Sequence, residues 1–152
     1  MTPVGPERAS SQTETAASQA DLHALLLEHT KRPHNRRDLA DPSHRGEGSN
    51  PLCGDQVQVA LTISNGVVRN AVFRGRGCSV CIASASLMTD CVTAMSTQDV
   101  RSLCARLRRW IDGEDTIWSV PPMLAPLGLV RAHSVRRRCM ALAWEALADA
   151  LR

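Results

Sequence analysis

Val57, Val59, Leu61 and Ile63 alternate with Gln56, Gln58, Ala60 and Thr62, the two-residue period of a half-buried strand. Asn65-Gly66 follows, a dipeptide whose two residues both tolerate positive φ, so it predicts a hairpin turn. Val67 to Arg74 then reads as the returning strand. Gly75-Arg76-Gly77 predicts a flexible turn, and Cys78 opens a helix with apolar positions at Cys81, Leu87, Met88, Cys91 and Met95. Thr97 is placed to cap a further helix running to about Ile111. Residues 112 to 129 carry Gly113, Pro121, Pro122, Pro126 and Gly128 and read as a loop with one short helical piece. A last helix spans Ser134 to Leu151, with Val135, Cys139, Leu142, Ala143, Ala146, Leu147 and Ala150 on its apolar side.

Upstream of the hairpin the pattern weakens. Leu22, Leu25, Leu26 and Leu27 predict a helix capped by Asp21 and ended near Lys31-Arg32-Pro33, because proline disfavours helix in the residue before it. Residues 33 to 52 are polar, with Pro42, Gly46, Gly48 and Pro51, and read as a long loop leading into Cys53. Residues 1–19 carry almost no large apolar side chain, which predicts a disordered tail ahead of one domain over 20–152. The order helix, hairpin, helices predicts an α+β fold, a small antiparallel sheet with helices packed on it.

The length of 152 residues and 43% apolar content suit a single core. No apolar run approaches the roughly 20 residues of a membrane span, and the first 20 residues lack a signal-peptide core, so no membrane partner and a reducing cytoplasm are expected. In that compartment six cysteines read as ligands or reactive thiols before disulfides. A net charge of +3 and a single Phe73 without tyrosine argue against a nucleic-acid partner. The arginines at 106, 108 and 109 read as a solvated helix face.

Three thiols stand where they are open to chemistry. Cys53 precedes Gly54 and Asp55 in a turn, so Cys53 and Asp55 can point to one side. Cys78 sits at a helix N-terminus, where the dipole and free N–H groups favour thiolate. Cys139 follows Arg136-Arg137-Arg138, whose charge favours thiolate as well. Cys53, Asp55, Cys78 and Cys139 together would make a metal site of three thiolates and a carboxylate; scattered, buried cysteines are the alternative on local chemistry alone. Cys81 reads as a small apolar residue on the buried face, or as a resolving thiol or substitute ligand. Cys91 and Cys104 read as core, His133 as exposed or partner-facing, and the remaining histidines show no ligand spacing.

Four blocks, Asn50-Pro51-Leu52-Cys53-Gly54-Asp55, Gly75-Arg76-Gly77-Cys78-Ser79, Ala83 to Asp90 and Arg138 to Leu147, resemble the signature of the U-type iron–sulfur assembly proteins, the IscU/NifU-like family with its SufE/NifU-like fold. His29 to Asn35 is similar to the family's N-terminal block, and the resemblance runs from about Leu22 to Leu151. Arg138 directly before the last cysteine, where the scaffold branch has histidine, the 61-position span from Cys78 to Cys139 and Arg136 resemble the SufU-type branch. Cys81 departs from that branch, which usually has serine there.

The resemblance implies zinc bound by Cys53, Asp55, Cys78 and Cys139. It implies a sulfurtransferase-like carrier rather than a stand-alone enzyme, one that takes persulfide sulfur from a SufS-type cysteine desulfurase and serves a downstream iron–sulfur scaffold. Cys53, on the most mobile of the ligand segments, is the expected acceptor, and Arg136 is placed to assist or simply to be solvated. A scaffold holding a transient iron–sulfur cluster on Cys53, Cys78 and Cys139 is the alternative. A structural zinc module would need four cysteines, or two cysteines and two histidines at finger spacing, and a C-x-x-C redox enzyme would need a βαβ setting; neither is present in the sequence.

Overall fold

Alternating burial of Val57, Val59 and Leu61 makes β2 (Asp55–Ser64) the centre of a three-stranded antiparallel sheet, in a computed structural model that describes residues 18–152. It pairs with β3 (Val67–Arg76) through the Asn65-Gly66 turn, where both residues have positive φ, 53° and 71°, as a primed hairpin turn requires. The register shifts once, between Thr62 and Ile63. On its other edge β2 pairs with β1 (His44–Asn50), which gives the order β1-β2-β3.

β1 overturns the expectation of a loop across residues 33 to 52. The physical reason is the identity of its inward residues: Gly46, Gly48 and Asn50 are buried, so no apolar alternation marks the strand. A Cβ at Gly46 would lie 2.1 Å from the Ala146 carbonyl oxygen, and one at Gly48 would lie 2.8 Å from that of Leu142. Glycine here lets a helix backbone lie directly on the strand. That helix is the last one, Ser134–Ala150. The segment before β1 is also ordered against the sheet: Asn35 O accepts from Phe73 N at 3.0 Å, and Arg74 pairs with Asp38 at 3.0 Å.

Five α-helices are described, α1 (Gln19–Lys31), α2 (Ser79–Val92), α3 (Thr97–Ile111), α4 (Gly128–Arg131) and α5 (Ser134–Ala150), with a 3-10 helix at Pro122–Leu127 before α4. Two caps shift from expectation. Ser18, not Asp21, caps α1 by accepting from Asp21 N at 3.1 Å, and Ser96, not Thr97, caps α3 by accepting from Asp99 N at 3.1 Å. A hydroxyl three residues ahead of an acidic first-turn residue wins both positions. The expected tail over 1–19 falls outside the described residues as far as residue 17.

α2 is the hub. It is buried on nearly every side, and alanine and serine between Ala83 and Ser86 let α1, α5 and β3 close in on it. Ser84 donates to Met140 O at 2.7 Å and accepts from Trp144 Nε1 at 3.2 Å, so its buried hydroxyl is satisfied within the α2–α5 interface. α3 turns Val100, Leu103, Leu107 and Ile111 inward and its arginines to solvent. No described helix is long and apolar enough to cross a membrane.

Candidate metal centre

Antiparallel pairing decides which residues meet. Gln56 faces Arg76 across the β2–β3 ladder, so Asp55 at the start of β2 lies beside Gly77 where the chain leaves β3. The next residue, Cys78, is the N-cap of α2 with extended φ and ψ of −68° and 169°. α5 crosses the same end of the sheet and brings Cys139. The carboxylate of Asp55 and the sulfurs of Cys78 and Cys139 all lie within 4.8 Å of one another.

The donor set has the character of a cation site. Asp55 is only 8% exposed, yet its carboxylate makes no ion pair or hydrogen bond among the described residues. Burial pushes the Cys78 thiol up, but N–H groups of Cys81 and Val80, the Cys139 thiol and Arg136 outweigh it, so it is held below the ordinary thiol value. Cys139 is pushed up to about 12, first by burial, then by its hydrogen bond to Cys78 and by the charges of Cys78, Asp55 and Cys53. The neighbouring arginines, expected to favour a Cys139 thiolate, do not offset these causes. A buried carboxylate beside two sulfurs is a donor set that a divalent metal satisfies. Gly77 makes the approach possible, since a Cβ there would lie 3.0 Å from Asp55 Cγ and 3.0 Å from Cys81 Sγ.

Cys53 stands apart from this trio. It occupies the four-residue turn between β1 and β2, is exposed, and does not join the set whose donors lie within 4.8 Å. The turn is held at its base by Asn50, whose carbonyl accepts from Gly54 N at 2.9 Å and whose Oδ1 accepts from Leu52 N at 3.2 Å. Gly54 has φ of 76° and open space around it, so the turn needs glycine for its backbone and not for room. Leu52 beside it is 90% exposed.

Arg136 is exposed one turn before Cys139, helps to lower the Cys78 thiol's pKa, and makes no ion pair among the described residues. His133 is the exposed N-cap of α5 and lines an open groove of about 690 Å³ with Ser79, Val80, Val135 and Arg136. Cys81 and Cys104 are buried, and burial first of all pushes both thiols up to about 12. Cys91 is half-buried against the core.

One cluster escapes sequence reasoning. His29, His34 and Asp90 bring ring nitrogens and a carboxylate oxygen within 4.8 Å of each other. Their donors are already engaged: His29 Nδ1 with Ser86 Oγ at 2.6 Å, and His34 Nδ1 with Asp90 Oδ2 at 2.5 Å. The cluster clasps α1 to α2. Its one sequence signal is the pair of histidines on either side of Pro33, at the end of the predicted helix.

The sequence profile described as the NifU-like N terminal domain matches residues 22–107, more than half of the chain. The chain belongs to the NifU-like N-terminal domain family. Its relatives include a protein named iron-sulfur cluster assembly scaffold protein IscU from Streptococcus pyogenes serotype M1, 29% identical over 135 residues that cover 85% of this chain and 81% of the relative. A Bacillus subtilis protein named zinc-dependent sulfurtransferase SufU is 29% identical over 124 residues, covering 81% and 84%. Among solved structures, FiSufU of Fervidobacterium islandicum AW-1 superposes with a TM-score of 0.76 at 21% identity, covering 84% of this chain and 94% of that one. The N-terminal NifU-like protein of Brucella abortus gives 0.75 at 23% identity, covering 89% and 96%. These two likenesses establish a NifU-like fold for the α+β architecture expected from the sequence.

Proposed function

We propose that this NifU-like protein serves iron–sulfur cluster assembly as a zinc-bearing sulfur acceptor. The observation that carries the reading is the convergence of Asp55, Cys78 and Cys139 beside an exposed Cys53. Cys53, Asp55, Cys78 and Cys139 would hold one zinc ion, which when bound would offset part of their negative charge and shield the thiolates. Its similarity to the zinc-dependent sulfurtransferase of Bacillus subtilis supports this choice of metal and role.

Cys53 is the acceptor in this reading, because its turn is exposed while Cys78 and Cys139 are fixed by helices. The donor is the persulfide of a SufS-type cysteine desulfurase. The Cys53 thiolate attacks the terminal sulfur of that persulfide, and a new sulfur–sulfur bond forms on Cys53. The donor's own sulfur–sulfur bond breaks, and its electron pair stays on the desulfurase as thiolate. The proton of the terminal sulfur moves with it, so no external oxidant or reductant is consumed. Arg136, exposed beside the Cys78 sulfur, would steady the arriving negative charge. The sulfur then passes to a downstream iron–sulfur scaffold in a reducing cytoplasm.

The alternative is a scaffold that builds a cluster on Cys53, Cys78 and Cys139, and similarity to proteins named as scaffolds favours it. Elemental analysis of protein purified without added metal separates the two: one zinc per chain supports the acceptor, and an iron–sulfur chromophore supports the scaffold. With a SufS-type desulfurase and radiolabelled cysteine, Cys53→Ala is expected to lose both labelling and stimulation of cysteine turnover. A folded Cys53→Ala protein that accepts sulfur at the wild-type level would move the acceptor elsewhere, Cys139 first.

A further inference from the structure

Cys81 is the thiol that the proposed chemistry leaves unused. It is fully buried at 0% exposed, and its sulfur makes no hydrogen bond among the described residues. It is nevertheless part of the wall of the donor set. A Cβ on Gly77 would touch both Cys81 Sγ and Asp55 Cγ at 3.0 Å, so the two side chains press on the same point of backbone. Burial first, then the charges of Asp55, Cys78, Cys139 and Cys53, push its thiol up to about 12.

The Cys81 sulfur does not join the set whose donors lie within 4.8 Å, so it would have to turn toward it. Cys78 is the N-cap of α2 and Cys81 is its third residue. Side chains on a helix lean toward its N-terminus, so the third residue leans back toward the cap. Cys-x-x-Cys is also a spacing at which two thiolates take one metal ion. The remaining requirement is a vacancy, and Cys53 supplies one. Its departure as nucleophile would leave Asp55, Cys78 and Cys139 as three donors around a metal that prefers four.

Building on that reading of the site, we propose that Cys81 is a reserve ligand, which takes the fourth position while Cys53 is away accepting sulfur. Cys53 leaves as the thiolate, and Cys81 releases its proton to solvent as its sulfur turns from the core to the donor set. The charge on the set is unchanged, and no electron is transferred. When Cys53 returns, Cys81 is reprotonated and goes back to the core.

The test compares metal binding in the wild type, Cys53→Ala, Cys81→Ser and the double variant, using zinc content, chelator competition and Co²⁺ substitution. Sulfur-to-cobalt charge-transfer intensity counts the bound thiolates. Wild type and Cys81→Ser are expected to show three thiolates and one metal per chain. Cys53→Ala is expected to keep one metal and again three thiolates. The double variant is expected to fall to two, with an affinity loss at least as large as the roughly 10–100-fold that removal of an outer-shell partner costs. Cys81→Ala in place of serine must give the same result, which separates ligand loss from a buried hydroxyl; circular dichroism checks the fold of each. If the double variant does not fold, the thiolate count of Cys53→Ala decides alone. Two thiolates in Cys53→Ala, or equal affinities for it and the double variant, overturn the proposal, as does a count of four in the wild type. A wild-type chain that takes up no metal overturns the underlying reading of the site instead, and the reserve role with it.

Discussion

His29 shows how one side chain can make a fold sensitive to pH. It lies 4% exposed between α1 and α2, bonded to Ser86, with the His34 ring centroid 4.4 Å away. Burial first, then the neighbouring His34, hold its pKa below the ordinary 6.5, against opposing pulls from Asp90 and Glu28. The unfolded chain therefore takes up a proton near 6.5 that the folded chain refuses, so the contribution is intact above that pH and is lost as the pH falls through and below it. Thermal midpoints measured between about pH 7.5 and 5.5 are expected to decline, and His29→Gln is expected to flatten that decline. An identical slope in the variant would assign the pH response to other groups. Gly77 makes the corresponding point about space: without its missing Cβ, Asp55 and Cys81 could not crowd the same turn.

Among the elements, β1 and α5 form the least forgiving pair. The strand contributes little apolar area of its own, and the helix lies on it because Gly46 and Gly48 remove the side chains between them. In Gly46→Ala the new methyl meets the backbone of Ala146 and Ala150, which cannot rotate away as a side chain can. The expected cost is at or above the top of the ~1–3 kcal/mol range for overpacking. Chemical denaturation checks it, and a loss below about 0.5 kcal/mol, the range of an ordinary surface substitution, would show that the helix can lift off the strand. Because α5 also carries Cys139 and Arg136, metal content is expected to fall together with stability in that variant.

For the molecule as a whole, the donor set joins three otherwise separate pieces: the start of β2, the N-terminus of α2 and the second turn of α5. A metal bound there stabilises the folded chain by mass action, about 2.7 kcal/mol when free metal is 100-fold above its dissociation constant. For a domain of this size that corresponds to a rise of roughly 5–11 °C in the thermal midpoint. Chelation is therefore expected to lower the midpoint by that amount in the wild type and to leave Asp55→Ala nearly unchanged. Equal shifts in both proteins would detach the metal from this site.

The hairpin, the long helices and the candidacy of Cys53, Asp55, Cys78 and Cys139 were all legible in the chain. Strand alternation, the Asn65-Gly66 turn and the run of cysteine blocks are local signals that survive without knowledge of packing. The first strand was not legible, because its inward residues are glycines selected by a helix about one hundred positions away. The clasp of His29 and His34 onto Asp90 was hidden for the same reason, since its members are distant in sequence and share no spacing rule. Which cysteines stand apart was legible along the chain, but not how far apart or how deeply buried they are. Folding separates them: antiparallel register and the crossing of α5 gather Asp55, Cys78 and Cys139, leave Cys53 exposed on its turn and bury Cys81 behind the site. Burial and the mutual repulsion of closely placed charges, which exist only once distant segments pack, are what give chemically identical thiols different protonation and different access.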